Sequence, residues 1–223
     1  MVTTLSDFTA ERKAMVERHL RHRGIKEKPI VDAFLAVPRE EFVSAEYQHS
    51  AYGDHPLPIE AGQTISQPYI VGLMIQAAGI TAGDTVLEVG AGSGYAAAVI
   101  SRIAARVIGI ERQHDLAEIA RERLERLGYG NVTIIEGDGT MGCPGEAPFD
   151  AILAAASGSH VPKALIDQLA DRGRIVMPLG DPGWVQELVK VTKRPGGELI
   201  RESLGGVRFV PLIGEEGWKD ARH

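Results

Sequence analysis

Three acids and three glycines are spaced so that together they can hold a nucleoside. Glu88 stands two residues before Gly90, and Gly92 and Gly94 follow at every second position. Glu111 closes the next apolar run, Arg106–Ile110, and Asp138 follows a third, Val132–Ile135, inside Glu136-Gly137-Asp138-Gly139. A carboxylate only accepts hydrogen bonds. An acid at the end of a second strand can therefore take both ribose hydroxyls of an adenosine, and Asp138 can accept from the adenine amino group. Glycines without a Cβ let the backbone approach a ligand closely. Taken singly, Glu111 or Asp138 reads as a solvated loop acid. Three acids in register at three strand ends read as an adenosyl-cofactor site that includes Glu88, Gly90, Gly92, Gly94, Glu111, Asp138 and Gly139.

The elements that must position these residues are a strand, a turn and a helix. Thr85–Val89 alternates as a buried strand does, and Tyr95–Ala105 has the length and alanine content of a helix. A dinucleotide fingerprint requires G-x-G-x-x-G, but its sixth position counted from Gly90 is Tyr95. The spacing G-x-G-x-G after an acid is that of S-adenosyl-L-methionine-dependent methyltransferases, whose cofactor has no pyrophosphate to seat. The expected fold class is α/β: a class I, Rossmann-like methyltransferase sheet with helices on both faces.

Composition narrows the setting. The 223 residues carry a net charge of −6, which argues against a general nucleic-acid binder because such affinity rests on neutralising phosphates. One cysteine excludes an internal disulfide and fits a reducing compartment. The charged N-terminus and the lack of a long apolar run predict a cytoplasmic protein that neither enters nor spans a membrane. His19 and His22 sit among arginines, so no metal is expected. A monomer is expected. Residues 11–28 are basic inside an acidic chain and read as a solvated helix face or a docking surface.

Along the chain, Ser6–Arg23 predicts an amphipathic helix with Ser6 as N-cap and Gly24 as stop. A short helix follows around Ile30–Leu35, and Pro38 restarts the chain as a turn or a third short helix. Tyr52–Pro68 reads as a long functional loop, in which Ser66 is placed to cap a helix over Pro68–Ala78. Further on come a helix over Gln113–Leu127, a strand at Phe149–Ala154, a helix over Val161–Ala170 and a strand at Gly173–Pro178. Three antiparallel strands, Glu187–Thr192, Leu199–Leu204 and Val207–Val210, complete the sheet. One domain is expected over 1–223: a helical cap and substrate loop at 1–78, the cofactor-binding sheet at 79–214, and a tail at 215–223 that frays.

The methyl acceptor is read from the end of the fourth strand. Ala154-Ala155-Ala156-Ser157-Gly158 lacks the Asp/Asn-Pro-Pro-aromatic of amino-group methylases, and Gly142-Cys143-Pro144 has the wrong order for a cytosine-C5 nucleophile. No His/Asp pair offers a base for a phenol. A carboxylate acceptor needs none, because it is ionised at neutral pH with a reference pKa of about 3.9. That reading is permitted by the residues rather than forced by them.

Six segments resemble one family over most of the chain: Val37-Pro38-Arg39-Glu40-Glu41-Phe42, Gly62-Gln63-Thr64-Ile65-Ser66-Gln67-Pro68, Val86 to Tyr95, Gly137-Asp138-Gly139-Thr140, Ala147 to Ile152, and Val207-Arg208-Phe209-Val210-Pro211-Leu212. The chain resembles the protein-L-isoaspartate (D-aspartate) O-methyltransferases. That resemblance implies an N-terminal helical cap on the sheet and transfer of a methyl group to the free carboxylate of isoaspartyl residues in damaged proteins. The ester then collapses to a succinimide. It also implies Ser66 as the active-site serine and Thr64 beside it, both at the cofactor. Thr64, Ala156, Val207 and Phe209 would meet the substrate, the last two as strand edges. Two departures bear on substrate range: Ser157, whose hydroxyl would narrow the peptide slot, and Trp184. A methyltransferase for a small-molecule carboxylate and a non-catalytic binding protein remain the alternatives.

Overall fold

The computed structural model describes residues 8–220, so Ser6 and its expected cap lie outside the described residues. The chain opens with α1 (Phe8–Met15), which continues through a π-helical turn at Val16–Leu20 and a 3-10 turn at Arg21–Arg23. Gly24 then stops it at φ 98°, as the sequence predicts. After α2 (Lys28–Ala36) and a 3-10 turn at Arg39–Phe42, the predicted loop contains a two-residue antiparallel ladder of β1 (Leu57–Pro58) and β2 (Thr64–Ile65). α3 (Pro68–Ala78) begins with proline at its first position, where a missing N–H costs nothing. Phe34 and Phe42 close edge-on against Tyr95, with ring centroids at 6.3 and 5.5 Å, and so tie this helical cap to the sheet layer.

The sheet is built from β3 (Thr85–Val89), β4 (Arg106–Glu111), β5 (Val132–Glu136), β6 (Phe149–Ala154), β7 (Leu169–Leu179), β8 (Gln186–Lys193) and β9 (Leu199–Val207). Their order is β5-β4-β3-β6-β7-β8-β9, parallel from β5 to β7 and antiparallel thereafter. β3, β4 and β6 are apolar nearly throughout, as strands covered on both faces must be. α4 (Tyr95–Ser101), α5 (His114–Arg126) and α6 (Lys163–Asp167) connect them. The strand order reverses between β3 and β6, and ligands of such sheets bind beyond the carboxyl ends at that point.

Three expectations about the elements need correction. The helix at 161–170 is only Lys163–Asp167, because Leu169 already pairs with Phe149 and the Gln168 carbonyl takes the Phe149 N–H at 2.9 Å. The last two expected strands are not two: β9 runs from Leu199 through Gly205 and Gly206 to Val207, and residues 208–210 are not strand. The tail does not fray over residues 215–220, and 221–223 lie outside the described residues. Trp218 donates from its indole to the Ser157 carbonyl at 2.9 Å, and Asp220 pairs with Arg112 at 3.0 Å. Among the described residues no helix is long and apolar enough to cross a membrane.

Candidate active site

At the carboxyl ends of β3, β4 and β6 lies a cavity of about 490 Å³, within the size range of small-molecule sites. Its wall includes Thr64, Gly90, Gly92, Glu111, Gly139 and Ala156. Glu111 is buried, and each of its oxygens accepts one backbone N–H at 3.0 Å, from Gly92 and from Gln113. Those two bonds fix the carboxylate and leave each oxygen a lone pair for a hydroxyl. Gly90 and Gly92 adopt φ 83° and 55°, which favours glycine, and a Cβ at Gly90 would meet nothing closer than 3.8 Å. A diol-sized acceptor pair beside bare backbone fits the ribose and methionine parts of an adenosyl cofactor.

Deeper in, Glu88 shares a small pocket with Thr64, Ser66, Ser93 and Tyr95. Burial pushes the Glu88 carboxyl up to about 8; the Ala97 backbone N–H opposes this and the Glu111 carboxylate adds to it. Its Oε2 is buried with no hydrogen-bond partner in the protein. An unsatisfied acid of this kind is the place where a cationic ligand gains most.

Ser66 borders both this pocket and an outer groove lined by Gln67, Tyr69, Val207, Arg208 and Phe209. Its hydroxyl does not cap α3. The N-cap is Gln67 without a side-chain bond, and the Tyr69 N–H is taken instead by Asp54 at 3.0 Å. Ser66 is held from behind: Arg39, wholly buried, donates from Nη2 to the Ser66 carbonyl at 2.8 Å. Thr64 and Ala155 border the adenosyl cavity, the inner pocket and the groove alike, so the three spaces meet there.

Comparison with known proteins settles the lineage. The family profile described as protein-L-isoaspartate(D-aspartate) O-methyltransferase matches residues 10–217. The chain belongs to this family. It is 49% identical over 218 residues to the protein-L-isoaspartate O-methyltransferase of Koribacter versatilis (strain Ellin345), covering 98% of this chain and 97% of that one. A solved protein-L-isoaspartate O-methyltransferase superimposes with a TM-score of 0.83 at 32% identity, over 92% of this chain and 66% of its own longer chain. A Plasmodium falciparum structure described as a beta-aspartate methyltransferase, in complex with S-adenosyl-L-homocysteine, matches at TM-score 0.78 and 29% identity, over 91% of this chain and 98% of that one. As a member of the family the chain uses S-adenosyl-L-methionine as methyl donor.

Some expected site residues make contacts other than those the sequence suggests. Asp138 does not border the cavity: Oδ1 accepts from the N–H and hydroxyl of Thr140 at 2.9 and 2.7 Å, and Oδ2 from the Glu215 N–H at 2.7 Å. It fixes Gly139, which does border the cavity, and anchors the tail. Gly94 faces α5 instead of the ligand; a Cβ there would come within 3.1 Å of Leu124 Cδ1. Ser157 is fully buried, and its hydroxyl borders neither cavity nor groove. Phe209 lends its ring but no strand edge, since Gln186 binds its N–H at 2.7 Å and its carbonyl at 3.3 Å. The wall formed by Trp218, Lys219 and Asp220 was not anticipated. The signal was a single tryptophan in an otherwise polar tail.

Proposed function

We propose that this chain transfers the methyl group of S-adenosyl-L-methionine to the free carboxylate of L-isoaspartyl residues in proteins and peptides, starting their repair through a succinimide. The observation that carries this is the meeting of cavity, pocket and groove at Thr64 and Ala155. A donor on one side and a polypeptide on the other reach each other there. The cofactor supplies a methyl group activated by a sulfonium. Glu111 holds the ribose, Gly90 and Gly92 give the backbone room to approach, and Glu88 faces the cationic portion.

The acceptor carboxylate is already ionised at neutral pH, so no residue has to remove a proton. What remains is positioning. Ser66 donates its hydroxyl to the substrate carboxylate and fixes the line of attack, beside Thr64 and Ala156. Val207 and Phe209 border the groove that receives the flanking chain. Alignment of this kind is worth several kcal/mol, and a displacement of ~1 Å can cost ~10²-fold. A single cysteine fits work in the reducing cytoplasm.

The test is a methyl-release assay with labelled cofactor on one peptide in isoaspartyl and aspartyl forms. Transfer to the first and background with the second is expected. Equal rates would instead favour the small-molecule carboxylate reading.

A further inference from the structure

Trp184 and Val185 are the most exposed large apolar residues among the described ones, at 74% and 62%. Scattered apolar exposure is ordinary, but these two are adjacent and sit on a loop bound to the site. Its base is Gln186, buried at 2% exposure, which bonds both backbone groups of Phe209 and donates to the Asp181 carbonyl at 3.4 Å. The Trp184 N–H closes the loop onto the same carbonyl at 3.3 Å, and the Gly180 N–H joins it to Gly158 at 2.9 Å. Val185 borders the groove together with Ser66 and Phe209 and packs over Gly206, where a Cβ would come within 3.0 Å of Val185 Cγ1. Pro182, at the other end of the loop, borders the adenosyl cavity.

We propose that Trp184 and Val185 form an apolar shelf that receives an apolar side chain of the substrate polypeptide, a few residues from its isoaspartyl residue, and so select among damaged sites. This rests on the repair reading above. The occupant follows from continuity: a chain with its isoaspartyl carboxylate at Ser66 crosses Phe209 and then Val185. The shelf is anchored before binding, so little ordering is lost when it is covered. Val185 borders the groove, and the exposed tryptophan next to it in sequence is a residue type that often anchors a partner chain.

The test uses isoaspartyl peptides that differ at one flanking residue, leucine or serine, placed in turn on either side. The wild type should favour leucine on one side by about tenfold in KM, equivalent to about 1.4 kcal/mol, with kcat unchanged. Trp184→Ser should give both peptides the same KM without changing the thermal melt, and Trp184→Phe should keep most of the preference. Transfer to all the isoaspartyl peptides without preference overturns the shelf and leaves the repair reading intact. No transfer to any, or equal transfer to an aspartyl control, overturns the repair reading and the shelf with it. A wild-type dimer that Trp184→Ser dissociates in sedimentation would assign the shelf to a second copy of the chain and overturn the proposal.

Discussion

Arg39 joins two carbonyls from different segments of the chain: Nη2 reaches the Ser66 oxygen at 2.8 Å and Nε the Ala51 oxygen at 2.7 Å. Its guanidinium also lies 4.7 Å from the centre of the Tyr95 ring, the first residue of the helix after the glycine turn. One buried cation thus sets the helical cap, the serine segment and the cofactor turn against each other. Arg39→Met leaves the buried Ala51 carbonyl and the half-buried Ser66 carbonyl unpaired, at up to about 1–3 kcal/mol each. The melting temperature should fall by roughly 10 °C, and turnover should fall at a temperature where the variant is still folded. Arg39→Lys, which keeps the charge but loses the fork, should recover stability more than turnover. Equal recovery of both would make Arg39 a purely structural residue.

Ser66→Ala separates two roles for the hydroxyl. Because that hydroxyl makes no capping bond, the melt should move by only ~2 °C or less. Turnover on an isoaspartyl peptide should drop by ~10²–10³, as on loss of a positioned donor. A large melt shift with near-normal turnover would leave Ser66 without a positioning role.

Glu111→Gln keeps the shape but turns one oxygen into a donor, facing either the Gly92 or the Gln113 N–H that it now accepts. Hydrogen bonds to a charged acceptor are worth ~1.5–3 kcal/mol each, so cofactor affinity should fall at least tenfold in a calorimetric titration. Unchanged affinity would remove Glu111 from the ribose site.

Glu88 predicts a pH signature in the cofactor-free protein. Folded, it keeps its proton up to about pH 8 because of burial; unfolded, it releases it near the reference value of about 4.3. Between those values the folded state binds the extra proton, so this group's stability contribution is full below about pH 4.3 and is lost as pH rises towards 8. Glu88→Gln abolishes that loss. The variant's melting temperature relative to wild type should therefore climb by several degrees from pH 5 to pH 8.5. A constant difference across that range would mean Glu88 is ionised when buried.

The parts of this molecule legible in sequence are those where one local pattern decides the outcome. β3 is a short buried run that ends in glycines, Gly24 stops the first helix, and Glu111 falls at a strand end because the apolar run of β4 stops at Ile110. What escaped is set by distant partners. Asp138 was legible as an acid at a strand end, but not as one that fastens Thr140 and, through Glu215, the tail. The 205–206 glycine pair looks like a turn and is strand: the pairing with β8 skips Leu204 between Val189 and Leu188 and resumes at Gly205. Gly94 has the spacing of a ligand glycine, yet it is the approach of Leu124 that requires it.

Gln186 grips the main chain of Phe209 and leaves its ring untouched. Every residue except proline carries that N–H and carbonyl, so position 209 can vary without loosening the loop that holds Trp184. The loop residues other than Pro182, which borders the adenosyl cavity, can vary in turn without disturbing Ser66 or Glu111. Mutation and selection can therefore retune which damaged proteins are accepted while the chemistry stays fixed. A loop exchanged between Gly180 and Gln186 is the natural unit for engineering a different preference into this scaffold.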